Sequence, residues 1–164
     1  MRASGRDKGF SFVEILISIM LVGLSITALV FASNNFTTAN GAGADLSTAE
    51  FLIEQIRELT TLLPVVDPET TIATFGAESG ESTVAAYDDI DDFSNVTFSP
   101  PIDAGRNAVA ALAAYSQSVT VTNVSKTDFD AVVGPHLSSF VKITVAVSLN
   151  GREISSASWV RANY

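Results

Sequence analysis

The sequence predicts an α+β fold in which a long N-terminal helix packs on a small antiparallel β-sheet of three to five strands. Three observations lead to this prediction: an almost uncharged apolar run near the N-terminus, a second stretch with helical periodicity behind it, and alternating strand-like segments toward the C-terminus. The chain has 164 residues, enough for one compact domain in addition to such a helix. We therefore expect a helix with a membrane part and an amphipathic part, carrying one globular head.

The first observation is the run from Phe10 to Ala32, where Glu14 is the only charged residue among 23. A helix of that length spans roughly 35 Å, slightly more than the ~30 Å hydrocarbon layer of a bilayer. Basic residues outnumber acidic ones before the run, and such an excess holds that end of the chain in the cytoplasm. These basic residues are Arg2, Arg6 and Lys8. The run predicts a single crossing with the head on the far side of the membrane.

The second observation is an apolar stripe in residues 45–63, whose members recur at intervals of three and four and so share one helix face. They are Ala49, Leu52, Ile56, Leu59 and Leu63. We expect Pro64 to end this helix, because helices usually end at or before the residue preceding a proline. Residues 10–63 contain no proline, which predicts one long helix or two nearly collinear ones, weakened at Gly41 and Gly43.

The third observation is strand-like alternation near the C-terminus. Residues 115–124 and 140–149 alternate apolar and polar side chains, and Asn150-Gly151 is a strong signal for a type I′ hairpin turn. Counting outward from that turn predicts the cross-strand pairs Leu149–Arg152, Val147–Ile154, Val141–Val160 and, on the other face, Lys142–Trp159. A sheet with one apolar face suits packing against the stripe of residues 45–63.

The segment between helix and sheet is rich in proline, glycine and acidic residues, and predicts mostly loop with a short strand at residues 96–98. The expected organisation has four parts: a cleaved leader at 1–9, a transmembrane and assembly helix at 10–33, a linker and amphipathic helix at 34–63, and the globular head at 64–164.

Composition narrows the function classes. The net charge of −9 argues against nucleic acid as a partner, and the absence of cysteine excludes disulfides, thiolate nucleophiles and cysteine metal sites. No Gly-x-Ser-x-Gly elbow or phosphate-binding glycine loop occurs, and the one histidine, His136, is expected to have a structural role in a loop. We expect no enzymatic activity, no catalytic residue and no cofactor.

The N-terminal motif is the most informative part of the sequence. Lys8-Gly9, followed by Phe10 and then by Glu14 inside a long uncharged run, resembles the processing signal of type IV prepilins and pseudopilins. The resemblance implies that prepilin peptidase cuts between Gly9 and Phe10 and that the new Phe10 amine is methylated. It also implies three further partners: other pilin subunits, an inner-membrane assembly platform, and the lipid bilayer before assembly. Phe12 departs mildly from the family pattern without affecting the cut site.

The resemblance suggests why a carboxylate lies in an apolar run. Glu14 matches the acidic residue of the family, and it would pair with the Phe10 amine of a neighbouring subunit in a filament, so that two charges that are costly in lipid compensate each other. Two other interpretations stay open. A secretory signal peptide would be cut near Phe31-Ala32-Ser33, although its apolar part is too long. If the chain is a bare membrane anchor, Glu14 lies near the membrane interface and has no role.

The segment YDDIDDF places four carboxylates within five residues, at Asp88, Asp89, Asp91 and Asp92. Calcium takes six to eight oxygen ligands, but the EF-hand glycine and glutamate are missing here. We therefore expect a solvated acidic turn and no metal site. The segment also resembles one in minor pilins of the mannose-sensitive haemagglutinin pilus, of the D-like kind, which favours an accessory subunit.

Together these observations predict a minor pilin or pseudopilin. The resemblance implies a bacterial inner-membrane precursor with a cytoplasmic N-terminus and periplasmic head, which then joins a filament at the cell surface or in the periplasm. A pseudopilin of a type II secretion machine would share the same design. The alternative from another class is a single-pass anchored extracytoplasmic domain with a binding function, which could depend on calcium.

Overall fold

The computed structural model describes residues 9–66 and 74–163 and has the predicted α+β architecture. One helix, α1 (Phe12–Thr61), is followed by four strands: β1 (Val96–Phe98), β2 (Tyr115–Asn123), β3 (Phe140–Leu149) and β4 (Arg152–Ala162). Two short 3-10 helices, Asp91–Phe93 and Ala110–Leu112, lie in the connections. The expected leader, with Arg2, Arg6 and Lys8, lies outside the described residues except for Gly9.

The chain divides into two compact units, with the boundary between Gly43 and Ala44. The first unit contains the apolar part of α1. Every large apolar side chain from Phe10 to Phe36 is between 48% and 80% exposed. The hydroxyls of Ser18, Ser25 and Thr27 donate to carbonyl oxygens four residues earlier, at distances of 2.7–2.9 Å. These polar groups are therefore satisfied within the helix itself.

The second unit contains the rest of α1 together with the sheet. Four residues of the predicted stripe are confirmed as part of the buried face of the helix: Ala49, Leu52 and Ile56 are fully buried, and Leu59 is nearly so. The fifth, Leu63, lies beyond the end of the helix and packs partly buried against the core. The helix ends at Thr61, three residues before Pro64, and it is helical at both Gly41 and Gly43. Residues 10–63 therefore contain one helix rather than two.

The four strands form one antiparallel sheet in the order β1-β2-β3-β4. On β3 the buried positions are Val141, Ile143, Val145 and Val147, and they alternate with half-buried polar or small residues. These valines and Ile143 pack with the stripe of α1 in one hydrophobic core. The predicted amphipathic sheet and its cover are thus confirmed.

The hairpin between β3 and β4 begins as predicted and then departs from the predicted pairing. Asn150 and Gly151 both have positive φ, 50° and 79°, and Leu149 pairs with Arg152. Ser148 pairs with Glu153, but Val147 pairs with Ser155, so Ile154 is an extra residue in a β-bulge. Beyond the bulge every predicted pair is wrong by one residue. Val141 faces Arg161, and Trp159 faces Ile143 rather than Lys142.

The bulge changes the face on which β4 presents its side chains. Trp159 lies on the core side of the sheet, where the Arg57 guanidinium carbon is 4.8 Å from the ring centroid. Arg161 also reaches α1: its guanidinium donates to the carbonyl oxygens of Thr60 at 2.8 Å and Thr61 at 3.0 Å. A cation at this position satisfies carbonyls that have no partner within the helix and complements the helix dipole.

Candidate functional site

The proposed cleavage position lies just before α1. Gly9, Phe10 and Ser11 precede the first helical residue, Phe12, and all three are exposed, Phe10 to 80%. No atom of the described chain lies within 4 Å of the position that a Cβ would occupy at Gly9. Apart from the chain neighbours of Gly9, the described residues therefore leave open space on this side of the proposed cleavage position.

Glu14 lies in the first turn of α1, where a carboxylate interacts favourably with the positive end of the helix dipole. Its side chain is exposed, and among the described residues no group forms a hydrogen bond or ion pair with its carboxylate. The main-chain oxygen of Glu14 accepts a hydrogen bond of 2.7 Å from the Ser18 hydroxyl. No described residue therefore occupies the carboxylate of Glu14.

The apolar surface around Glu14 surrounds the N-terminal part of α1 on all sides. By length and composition α1 qualifies as a membrane span, with none of its most apolar window buried inside the molecule. A helix that is apolar on every side is covered either by lipid or by other protein. The first unit provides no such cover from its own described residues.

The acidic segment, by contrast, is not solvated as predicted. Asp89, Asp91 and Asp92 are at most 1% exposed, and Asp88 is half-buried. The reason lies in the two apolar residues of the same segment: Ile90 and Phe93 are both fully buried in the core. Because the short 3-10 helix at Asp91–Phe93 inserts these side chains, the adjacent aspartates are buried with them.

Main-chain N–H groups hold two of these carboxylates in place. Asp89 Oδ1 accepts from the N–H groups of Asp91 at 2.8 Å and Asp92 at 3.1 Å. Asp92 Oδ2 accepts in turn from the N–H groups of Asp88 at 2.9 Å and Asp89 at 3.2 Å. The other oxygens, Asp89 Oδ2 and Asp92 Oδ1, are buried without a hydrogen-bond partner among the described residues.

Carboxylate oxygens converge at this place in two adjoining groups. In the first group, three carboxylate oxygens lie within 4.8 Å of one another, one each from Asp89, Asp91 and Asp92. The second group has the same spacing and takes one oxygen each from Glu78, Glu81 and Asp92. Asp91 Oδ1 also accepts a hydrogen bond of 2.7 Å from the N–H of Gly76. We name Asp89, Asp91 and Asp92 the aspartate cluster.

Burial and mutual repulsion raise the proton affinity of the aspartate cluster. The pKa of Asp89 rises from its usual 3.8 to about 8, chiefly because burial disfavours the charged form and also because of the charge of Asp91. The pKa of Asp92 rises to about 6, chiefly through burial and also through its contact with Glu81. Both pKa values are higher in the folded than in the unfolded chain, so the folded state binds more protons between the two values. The stability that these groups contribute is therefore full below the unfolded pKa of 3.8 and declines as pH rises from there through about 6 and about 8.

Two buried amides support the head, and the sequence analysis missed both. Gln117 is fully buried; its amide donates to the carbonyls of Leu52 at 2.8 Å and Ile102 at 3.1 Å, and its oxygen accepts from the Ile102 N–H at 2.7 Å. Asn123 accepts a hydrogen bond of 2.6 Å from the main-chain N–H of His136. For Gln117 the sequence did contain a signal: it alternates with Tyr115 and Val119 on the inward face of β2, which places a polar side chain in the core.

The remaining site predictions concern His136 and Trp159. The His136 ring packs edge-on against Phe75, with the centroids 5.6 Å apart. Trp159 contacts Arg57 rather than the predicted Lys142. The predicted absence of enzymatic activity stays a prediction.

Comparison of the chain with protein-family models, curated proteins and solved structures finds no match. The geometry of this chain and its N-terminal motif are therefore the basis for inferring a function. The motif residues Gly9, Phe10 and Glu14 belong to the first unit, and the aspartate cluster belongs to the second.

Proposed function

We propose that this chain is a minor pilin or pseudopilin, a structural subunit of a type IV pilus-like filament. The observation that carries the proposal is the exposed apolar surface in the N-terminal part of α1, whose one charged side chain, Glu14, has a carboxylate without a partner among the described residues. A membrane anchor needs the apolar surface but has no use for the charge. A subunit that exchanges lipid for neighbouring helices can use both.

The cost of placing charge in lipid links processing of the chain to its assembly. Cleavage after Gly9 by prepilin peptidase creates a positively charged amine at Phe10, and a single methylation keeps that charge. A carboxylate at the centre of a bilayer helix costs roughly 2.5–3.5 kcal/mol, and less near the interface. Pairing Glu14 with the Phe10 amine of a neighbour staggered along the filament compensates both charges at once, which favours assembly over remaining in the bilayer.

The proposal includes the location and the partners. The precursor resides in the bacterial inner membrane with the N-terminus in the cytoplasm and the head in the periplasm, in keeping with the basic residues before the run. Its partners are other pilin subunits, prepilin peptidase, the inner-membrane assembly platform and, before assembly, the bilayer. The filament lies at the cell surface, or in the periplasm if the machine is a type II secretion system.

Replacing Glu14 tests the proposal. The Glu14→Leu variant should still enter the membrane and be cut after Gly9, because the basic leader and apolar side chains suffice for insertion and the cleaved bond lies upstream. It should be depleted at least tenfold from sheared filaments, measured by mass spectrometry relative to the membrane fraction. Glu14→Asp is the matched control: it keeps the charge and should retain more assembly than the leucine variant. A Glu14→Leu subunit present in filaments at the wild-type ratio would contradict the pairing.

A second candidate function is an anchored extracytoplasmic domain that binds a ligand. The buried aspartate cluster favours it, because a pure structural subunit has no evident need for three buried acids. Retention of residues 1–9 in the mature protein would support this anchor, whereas their removal supports the filament subunit.

A further inference from the structure

We infer that the aspartate cluster of the head binds one calcium ion. Three buried carboxylates bring oxygen atoms within 4.8 Å of one another, and two of these residues, Asp89 and Asp92, each have a buried oxygen without a hydrogen-bond partner among the described residues. A buried polar atom without a partner is costly, and a bound ion is one way in which proteins satisfy such an atom. A divalent cation at this position supplies the missing partner for both.

The two carboxylates are already oriented for this role. Each uses one oxygen to accept main-chain N–H groups of the same turn, which fixes the side chain and leaves the second oxygen available. Side chains held in this way lose little conformational freedom on binding an ion, so the site is preorganised.

Charge also favours an ion here. Three carboxylates packed this closely in the interior repel one another, and removal from water removes the screening that would weaken this repulsion. Protonation relieves the repulsion only in part and leaves the oxygens still crowded. A dication compensates two negative charges at once and attracts the third.

The ligand chemistry points to calcium among the divalent cations. Every group in the cluster is a carboxylate, and hard oxygen ligands suit calcium and magnesium, whereas zinc and copper prefer imidazole and thiolate. Calcium accepts six to eight oxygens in irregular geometry, while magnesium demands near-octahedral geometry and keeps several waters. A short, fully buried turn suits the first ion better, and the adjoining Glu78 and Glu81 can supply further oxygens.

Thermal unfolding of the full chain in a non-ionic detergent tests the site. With free calcium at ten times the dissociation constant, the midpoint should lie about 3–6 °C above that in chelator, because a ligand that binds only the folded state stabilises it. Magnesium at the same concentration should give a smaller shift. Equilibrium dialysis with radiolabelled calcium should find one ion bound per chain.

Asp89→Asn is the decisive variant. It keeps an oxygen that can accept the N–H groups of Asp91 and Asp92 but lacks the carboxylate that would bind the ion, so in chelator its midpoint should be no lower than that of the wild type. The calcium shift and the bound ion should be lost. Asp128→Asn makes the same chemical change at an exposed loop position and should behave as the wild type.

Two results would overturn the inference. One is a wild-type midpoint that is equal in calcium and in chelator, together with no bound calcium by dialysis. The other is an Asp89→Asn variant that still binds one ion with the wild-type shift, which would place the ion elsewhere. If the variant does not fold, dialysis of the wild-type chain decides alone. None of these outcomes depends on filament assembly.

Discussion

At the scale of single residues, the head depends on polar side chains whose partners are distant in sequence. Gln117 contacts both α1 and the loop at Ile102, through three hydrogen bonds of 2.7–3.1 Å. The amide NH2 group donates two hydrogen bonds and the amide oxygen accepts one, so this polar residue costs little to bury and fixes the loop against the sheet.

Replacing Gln117 by leucine should therefore lower the free energy of unfolding by about 2–4 kcal/mol, because the main-chain N–H and carbonyl of Ile102 lose their buried partners. The free energy of unfolding can be measured by urea titration in a non-ionic detergent. Thr120→Ala, an exposed position on the same strand, is the control and should change it by less than about 0.5 kcal/mol. Equal effects from the two variants would show that the Gln117 hydrogen bonds contribute nothing.

The acidic residues illustrate what residue types alone could not predict. Four carboxylates in five residues predict exposure, since charge normally remains in water. The aspartates are buried because the side chains of Ile90 and Phe93 both enter the core, and the residues beside and between them are drawn below the surface. The spacing of these two apolar residues was visible in the sequence, but their common direction depends on the 3-10 turn, which only the tertiary structure supplies.

At the scale of elements, periodicity predicted the helix, its buried stripe, the existence of the strands and the turn at Asn150-Gly151. The pairing of β4 could not be predicted in the same way, because one bulged residue, Ile154, changes every pair beyond it. The hydrophobic pattern of β4 is weak, with serine and alanine at most positions near the bulge, so nothing local distinguished the two registers.

The register predicts the environment of the chain's one tryptophan. Removing the Arg57 guanidinium by Arg57→Ala should increase quenching of Trp159 fluorescence by acrylamide and remove a cation–π contact of about 0.5–1 kcal/mol. Lys142→Ala is the control, since Lys142 pairs with Val160 and projects from the other face. If Lys142→Ala changed the quenching while Arg57→Ala did not, the unbulged pairing would be correct.

At the scale of the whole molecule, the chain combines a head with its own core and a helical surface that needs a covering. The core of residues 44–163 joins the amphipathic end of α1 to the four strands. Among the described residues of its own unit the apolar end of α1 has no such partner, and the hydroxyls of Ser18, Ser25 and Thr27 are satisfied within the helix, as a lipid environment would require. Lipid and neighbouring subunits are the coverings that the proposed function supplies in turn.

The central claim is that this helix is processed and then used for assembly, and the N-terminus of the mature protein tests it most directly. Intact-mass measurement of the chain purified from membranes and from sheared filaments should give a protein that begins at Phe10 and carries one methyl group on its amine. Cells that lack prepilin peptidase are the control and should retain the uncut chain. A chain that keeps residues 1–9 in cells containing the peptidase, and that is missing from filaments, would contradict the account and identify a membrane anchor.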